Sequence, residues 1–503
     1  VEHMAYLTPT EGRDGRRAYD VASPTDGRSL GSFDVCNEQD VKQAVSRARE
    51  AQVHWGLLPP KERAKRVRKL LGVILARRES IVERLTAETG RPELDTLMIE
   101  LFAGCDAVNY YARHTEALLS DRRVGLHLLR MKSAKIIQRP LGVVAVISPW
   151  NGPFILSFNP TVQALLAGNG VVLKPSEVTP DAGRLVGELC LAAGLPRGLV
   201  QVVLGDGETG AALIGAGVDK VTFTGSVATG RKIGEACGRN LVPCTLELGG
   251  KDPMIVLEDA DLDRAAGGAA FGGLMNTGQF CSGVERIYVV EAVAETFIAK
   301  LTAKVGQLQY GRDYGPFIMK RQCDIVEGQV QDAIKAGARV LVGGIRDGDA
   351  FRPTVLRDVD HTMRLMREET FGPILPVVVV RDEEEAIRLA NDCEYGLSAS
   401  VWTKDKKRGE AVARRLESGS ATINESSLVY GALEVPFGGV KASGLGRVNG
   451  AEGLLNYSRP FPIITDRFGQ KEEAVWFPYS EDKTDGLRKA LKVIWGTALR
   501  RLI

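Results

Sequence analysis

The sequence predicts an α/β protein: a doubly wound domain, a second α/β domain and a small β element outside both. Three observations carry that reading. Short β-branched runs recur at 143–147, 171–173, 200–204 and 220–223. Helical stretches separate them, 181–193 and 227–237 among them. A second series of apolar runs follows at 253–257, 287–290, 376–380 and 422–424. Near-continuous apolar strands alternating with helices belong to a parallel sheet covered on both faces, as in dinucleotide-binding domains.

The segment before 142 reads mainly helical. Residues 22–27 read as a strand ending in a turn. Val41, Ala44, Val45 and Ala48 recur at helical spacing over 40–55, with Asp40 as the expected N-cap. Residues 61–89 carry a similar period. The stretches 132–138 and 455–465 read as strands belonging to neither core. At the end, Leu487, Leu491, Ile494, Trp495, Ala498, Leu499 and Leu502 share one helical face, with Arg488, Lys489, Lys492, Arg500 and Arg501 on the others. A helix docked on its own protein is preferred there over one lying on an anionic membrane.

Composition narrows the function. At 503 residues the chain predicts two or three domains, at roughly 150 residues each. A formal charge of +2 gives no basic field for nucleic acid. No apolar run is long enough to span a membrane. Val1-Glu2-His3-Met4 has no apolar core behind it, so no signal peptide is expected. Eight cysteines without CxxC pairs fit a reducing cytoplasm. Five histidines without HExxH argue against a histidine metal site, and no metal is expected.

Several runs carry chemistry. Cys281, in Gly278-Gln279-Phe280-Cys281, offers a thiol that can attack a carbonyl carbon. Glu247, in Glu247-Leu248-Gly249-Gly250-Lys251, offers a base for the water that would release a thioester, and apolar neighbours would raise its pKa. Asn151, after Ser148-Pro149-Trp150, sits at a strand end where its amide can donate to an oxyanion. In Phe223-Thr224-Gly225-Ser226, Gly225 permits close backbone approach and Ser226 caps a helix whose N–H groups can face an anion. A capped helix with no ligand is the competing reading. Lys174 and Glu177 can grip ribose hydroxyls, and Glu177 would repel a 2′-phosphate; a surface ion pair would look the same in sequence. Gly205-Asp206-Gly207-Glu208-Thr209-Gly210 matches GxGxxG but reads as a tight turn, because it does not open the first βαβ unit. The other seven cysteines read as small buried hydrophobes.

Taken in order, these runs resemble the aldehyde dehydrogenase superfamily over nearly the whole chain. Glu368-Glu369-Thr370-Phe371-Gly372-Pro373, Asn424 and Pro436-Phe437-Gly438-Gly439 complete the pattern. The resemblance implies Cys281 as nucleophile, Glu247 as general base, and Asn151 with the Cys281 N–H as oxyanion hole. It implies that Trp150, Lys174, Glu177, Gly225, Ser226, Glu369 and Phe371 bind the cofactor, NAD rather than NADP. It implies an NAD-binding domain over 1–124 and 142–247, a catalytic domain over 248–436, an oligomerisation element over 125–141 and 437–470, and a tail over 471–503. A homodimer or homotetramer follows. The loops at 311–316 and 343–348 are shorter than the family's usual ones, and the tail beyond 468 is longer. Expected tunnel residues are Phe154, Phe158, Met275, Phe280, Ser282, Val429 and Tyr430, suited to a medium aliphatic or aromatic aldehyde. Glu285-Arg286-Ile287-Tyr288-Val289 resembles succinate-semialdehyde dehydrogenases, which keeps that substrate open. A CoA-acylating dehydrogenase would share the fold, as would a catalytically silent scaffold; Glu247 argues against the first, and Cys281, Glu247 and Asn151 together against the second.

Overall fold

Strands buried on both faces need no alternation, and 143–147 shows why. All five residues of Val143–Ile147 are buried, as are all five of Gly170–Lys174. The computed structural model describes residues 9–12, 15–473 and 475–501. Val1 to Met4, Leu502 and the side chains of Leu499 and Arg500 lie outside the described residues.

Two units separate by compactness: 1–118 with 140–457, and 119–139 with 458–503. The larger unit holds two parallel-dominated sheets. The first has the order Gly444–Leu445, Cys244–Glu247, Lys220–Thr224, Val143–Ile147, Gly170–Lys174, Val200–Val202. Only the Gly444–Leu445 strand runs antiparallel in it. Residues 437–457, expected with the oligomerisation element, therefore join the large unit. Leu246 pairs with Leu445 there. The second sheet has the order Arg339–Val342, Thr354–Arg357, Ile374–Val380, Val284–Val290, Asp252–Val256, Ser400–Trp402, Thr422–Ile423.

Helix Glu38–Leu57 packs Val41, Ala44, Val45 and Ala48 inward, as the period predicts. Its cap is one turn earlier than expected. Asn37 accepts from the Asp40 N–H, and the Asp40 carboxylate accepts from the Asn37 N–H. In this reciprocal box Asp40 is the third residue of the helix, not its N-cap. The 61–89 stretch divides into Pro60–Val67, Lys69–Ala76 and Arg78–Thr89. An antiparallel sheet of Pro9–Glu11, Arg17–Ala22 and Ser29–Asp34 precedes them.

The smaller unit contains a three-stranded sheet, Ser458–Asp466 beside Lys132–Pro140 beside Arg122–Val124. Its terminal helix, Glu481–Gly496, buries no residue. The docked-helix expectation is thus not met. Among the described residues, no helix is long and apolar enough to cross a membrane.

Candidate active site

The candidate residues gather at the carboxyl ends of the first sheet. Strand order runs outward in both directions from Val143–Ile147, so the chain reverses its winding beside that strand. Doubly wound sheets bind ligands at such reversals. Ser148 to Asn151 follow that strand, Gly225 and Ser226 follow its neighbour, and Lys174 and Glu247 end two more.

Glu247 and Cys281 line one cavity, together with Leu156, Asn159, Tyr430, Phe437 and Tyr457. Glu247 is only 5% exposed, and neither carboxylate oxygen has a hydrogen-bond partner among the described residues. Burial raises its pKa well above the ordinary carboxylate value, with Arg447 opposing. Burial also raises the half-buried Cys281 thiol, and the carboxylates of Glu247, Asp252 and Glu369 add to this. The two runs meet because Gly250 lacks a side chain: a Cβ there would collide with the Cys281 carbonyl oxygen. Gly249 gives way in the same manner to Glu369, whose Oε2 an added Cβ would strike. The Gly250 N–H donates to Glu369 Oε1 at 3.0 Å.

Asn151 is fixed from three sides. Its amide donates to the Gln279 carbonyl at 3.1 Å. Its own carbonyl accepts from Arg91 at 2.7 Å and from the Asn276 amide at 2.9 Å. Arg91 pairs in turn with Glu100, and both side chains are almost wholly buried. Glu100 lies in a single π-helical stretch, Thr96–Phe102, a feature that often marks functional sites. It also accepts from the Ile155 N–H at 2.7 Å, which anchors the helix after Asn151.

A second buried network holds the Glu369 loop. The Glu285 carboxylate accepts from the Thr370 and Phe371 N–H groups, both at 2.8 Å, and from Lys251. Phe371 has a φ of 50°, a left-handed conformation that these bonds hold in place. Its ring meets Trp150 edge-on, with centroids 5.4 Å apart. Arg286 donates to the carbonyls of Lys251 and Ala390, so its own guanidinium is engaged within the scaffold. The run around Glu285 thus serves the scaffold.

Ser226 is exposed and caps helix Val227–Asn240 through the Thr229 N–H. A Cβ on Gly225 would come within 2.5 Å of the Phe223 ring. Lys174 and Glu177 are not a surface pair: both are buried, 3.6 Å apart. The glycine pattern at 205–210 is a turn. Asp206 caps the helix after it through the Glu208 N–H, and also accepts from Tyr19 at 2.8 Å. A carboxylate already fills that helix N-terminus.

Of the seven expected tunnel residues, only Tyr430 is among those lining the cavity. Phe154 and Phe158 are fully buried and stack on each other, centroids 4.8 Å apart. The cavity takes Leu156, Asn159, Pro160 and Gln163 instead, one face of helix Ile155–Leu166. The helical period alone points to that face. Arg91, Glu100 and Asn276 have no sequence signal of their own. Among the other seven cysteines, Cys190, Cys237 and Cys323 are buried, while Cys36, Cys105, Cys244 and Cys393 are half-buried.

Known proteins resemble this chain in sequence and fold. The model of the aldehyde dehydrogenase family matches residues 10–460. The chain is 44% identical over 482 residues to a 4,4'-diapolycopene aldehyde oxidase of a Methylomonas species, covering 95% of this chain and 91% of that protein. It is 39% identical over 479 residues to a Mycobacterium ulcerans protein provisionally named an NADP(+) succinate-semialdehyde dehydrogenase, covering 93% and 92%. A crystal structure of Mycobacterium tuberculosis aldehyde dehydrogenase complexed with NAD+ superposes with a TM-score of 0.86 at 34% identity, over 92% of this chain and 97% of that one. The chain belongs to the aldehyde dehydrogenase family and is an oxidoreductase acting on aldehydes.

Proposed function

We propose that this chain oxidises an uncharged aldehyde to its carboxylic acid with a nicotinamide dinucleotide, through a thioester on Cys281. The shared cavity carries the proposal. It joins a thiol to a buried carboxylate whose oxygens have no partner among the described residues.

The residues present suit the cofactor. The helix N-terminus at Ser226 could receive an anion, Lys174 ends a neighbouring strand with Glu177 three residues on, and Gly249 leaves the space that Glu369 fills. Ser226 would contact the pyrophosphate, Lys174 and Glu177 one ribose, and Glu369 the other, with Trp150 and Phe371 packing near the ring. When bound, the nicotinamide ring supplies the acceptor for the hydrogen and electron pair that leave the aldehyde carbon. Glu177 favours NAD, since an added 2′-phosphate would be repelled. The Mycobacterium ulcerans relative is named for NADP(+).

In the reaction, Cys281 sulfur bonds to the aldehyde carbon. The thiol proton leaves to solvent, and the sulfur attacks as the thiolate. Asn151 uses the amide hydrogen not given to Gln279, and with the Cys281 N–H it holds the oxyanion. Glu247, whose pKa burial raises, then takes a proton from water as the water oxygen bonds to the acyl carbon; the carbon–sulfur bond breaks, and Glu247 returns the proton to the sulfur. Leu156, Pro160, Tyr430, Phe437, Val448 and Tyr457 give the cavity an apolar and aromatic wall, and its lining contains no Lys or Arg. This favours a medium aliphatic or aromatic aldehyde over succinate semialdehyde, despite the relative's name. The small β unit pairs subunits in a homodimer or homotetramer.

An aldehyde panel scored by kcat/KM, with NAD and NADP and with and without CoA, tests the reading. Turnover of uncharged aldehydes with NAD and no CoA is expected. An absolute need for CoA, or a preference for succinate semialdehyde, would overturn it.

A further inference from the structure

We propose that the C-terminal segment of the smaller unit, 475–501, binds the surface of an anionic membrane. The geometry comes first. Helix Glu481–Gly496 is amphipathic yet buries nothing: Leu487, Leu491 and Trp495 are 56%, 55% and 47% exposed. Such side chains on one helical face are ordinarily covered. The turn before the helix adds Trp476, Phe477 and Tyr479, at 53%, 76% and 69% exposure. Lys483 ties that turn to the helix, donating to the carbonyls of Trp476 at 2.8 Å and Pro478 at 3.0 Å. Ser480 caps the helix between them. Aromatic turn and apolar helix face thus form one continuous element.

Charge selects the occupant. Arg488, Lys489 and Lys492 flank the apolar face, and Arg501 follows it. Asp485 engages Arg488, at 3.1 Å. Lys489 and Lys492 make no ion pair among the described residues. Against a second protein's apolar surface, uncompensated cations beside the contact would be a cost. Against anionic headgroups they are attractive, each strengthening binding roughly fivefold. Indole and phenol rings with basic residues and leucine are the composition of helices that lie in the headgroup plane. The helix has 16 residues and carries charges throughout, so it lies on the bilayer and does not cross it.

The test uses the full chain and sedimentation with sucrose-loaded vesicles. One set is phosphatidylcholine alone, and one contains about a third phosphatidylglycerol. Binding to the anionic vesicles is expected, at least tenfold weaker to the neutral ones and weaker again at high salt. Leu491→Glu with Trp495→Glu should abolish it, and Lys489→Gln with Lys492→Gln should weaken it roughly 25-fold. All four positions are exposed or flank exposed ones, so the variants fold, which far-UV circular dichroism and unchanged turnover of a water-soluble aldehyde would check. No binding to anionic vesicles overturns the proposal. So does a Leu491→Glu, Trp495→Glu variant that binds vesicles as before but loses an oligomer seen by light scattering, which would assign the face to a second copy. Neither result bears on the aldehyde chemistry of the larger unit.

Discussion

Asn151 gives one amide hydrogen to the carbonyl of Gln279, 3.1 Å away and two residues before Cys281. The bond sets the distance between the donor and the thiol's loop before any aldehyde arrives. Since Gln279 itself donates to Asn276 and accepts from Ile318, the loop has little freedom to drift. Preorganised donors are effective because they need not reorient as charge develops.

Asn151→Ala removes that donor. We expect kcat to fall about 10²–10³-fold with little change in KM for the cofactor. Steady-state kinetics would show it. A loss below tenfold would mean that the Cys281 N–H suffices.

Arg91 acts one step further back. Arg91→Met leaves Glu100 buried without its partner, at a cost of about 3–5 kcal/mol of stability. The Asn151 carbonyl also loses its 2.7 Å donor, so kcat should fall as well. Urea unfolding gives the first quantity and turnover under native conditions the second. Full stability would show that Glu100 protonates at no cost.

Glu247 links activity to stability. Its pKa in the folded chain lies above the unfolded value, so the native state holds this proton more tightly. The associated stability is present below the unfolded pKa, about 4.3, and is lost as pH rises through the raised value. Glu247→Gln stays neutral throughout. Its Tm should match the parent's below the unfolded pKa, about 4.3, and exceed it increasingly as pH rises toward the raised pKa. The parent's kcat should fall as pH drops through the same raised pKa, because a protonated Glu247 cannot accept a proton from water. A Tm difference that does not vary with pH would contradict the buried-carboxylate reading.

The two glycines after Leu248 should fail differently. An added Cβ at 249 meets the Glu369 carboxylate, the far end of a flexible side chain. Gly249→Ala should therefore raise KM for the cofactor, by about tenfold if one hydrogen bond is lost, and spare the fold. At 250 the obstacle is the Cys281 backbone. Gly250→Ala should lower kcat and thermal stability together. Equal effects from both would show that the Glu369 contact has no bearing on the cofactor.

The sheets are legible in the sequence because strands buried on both faces read as apolar runs, as at 143–147 and 287–290. Shorter strands such as Ser400–Trp402 leave no run long enough to read. The helix cap lies three residues from its expected place because Asn37 and Asp40 each cap the other, and either alone looks like an N-cap. Of the aromatic residues expected to line a tunnel, Phe154, Phe158 and Phe280 do not line the cavity, whereas Tyr430 does. The helical period puts Leu156, Asn159, Pro160 and Gln163 on one face, and all four line the cavity. The runs that hold Cys281 and Glu247, the proposed nucleophile and base, stand out in the sequence. Arg91 and Glu100 do not, since charged residues default to the surface unless a partner is seen. Nothing local in the sequence shows that partner.

The central claim is that Cys281 carries the acyl group and Glu247 releases it. Rapid-quench kinetics of Glu247→Gln with aldehyde and NAD test this most directly, with mass spectrometry of the peptide containing Cys281. We expect about one equivalent of reduced cofactor per chain in the first turnover, an acyl mass on Cys281, and steady turnover lowered about 10²–10⁴-fold. Undiminished steady turnover, or an acyl group on any other residue, would contradict it.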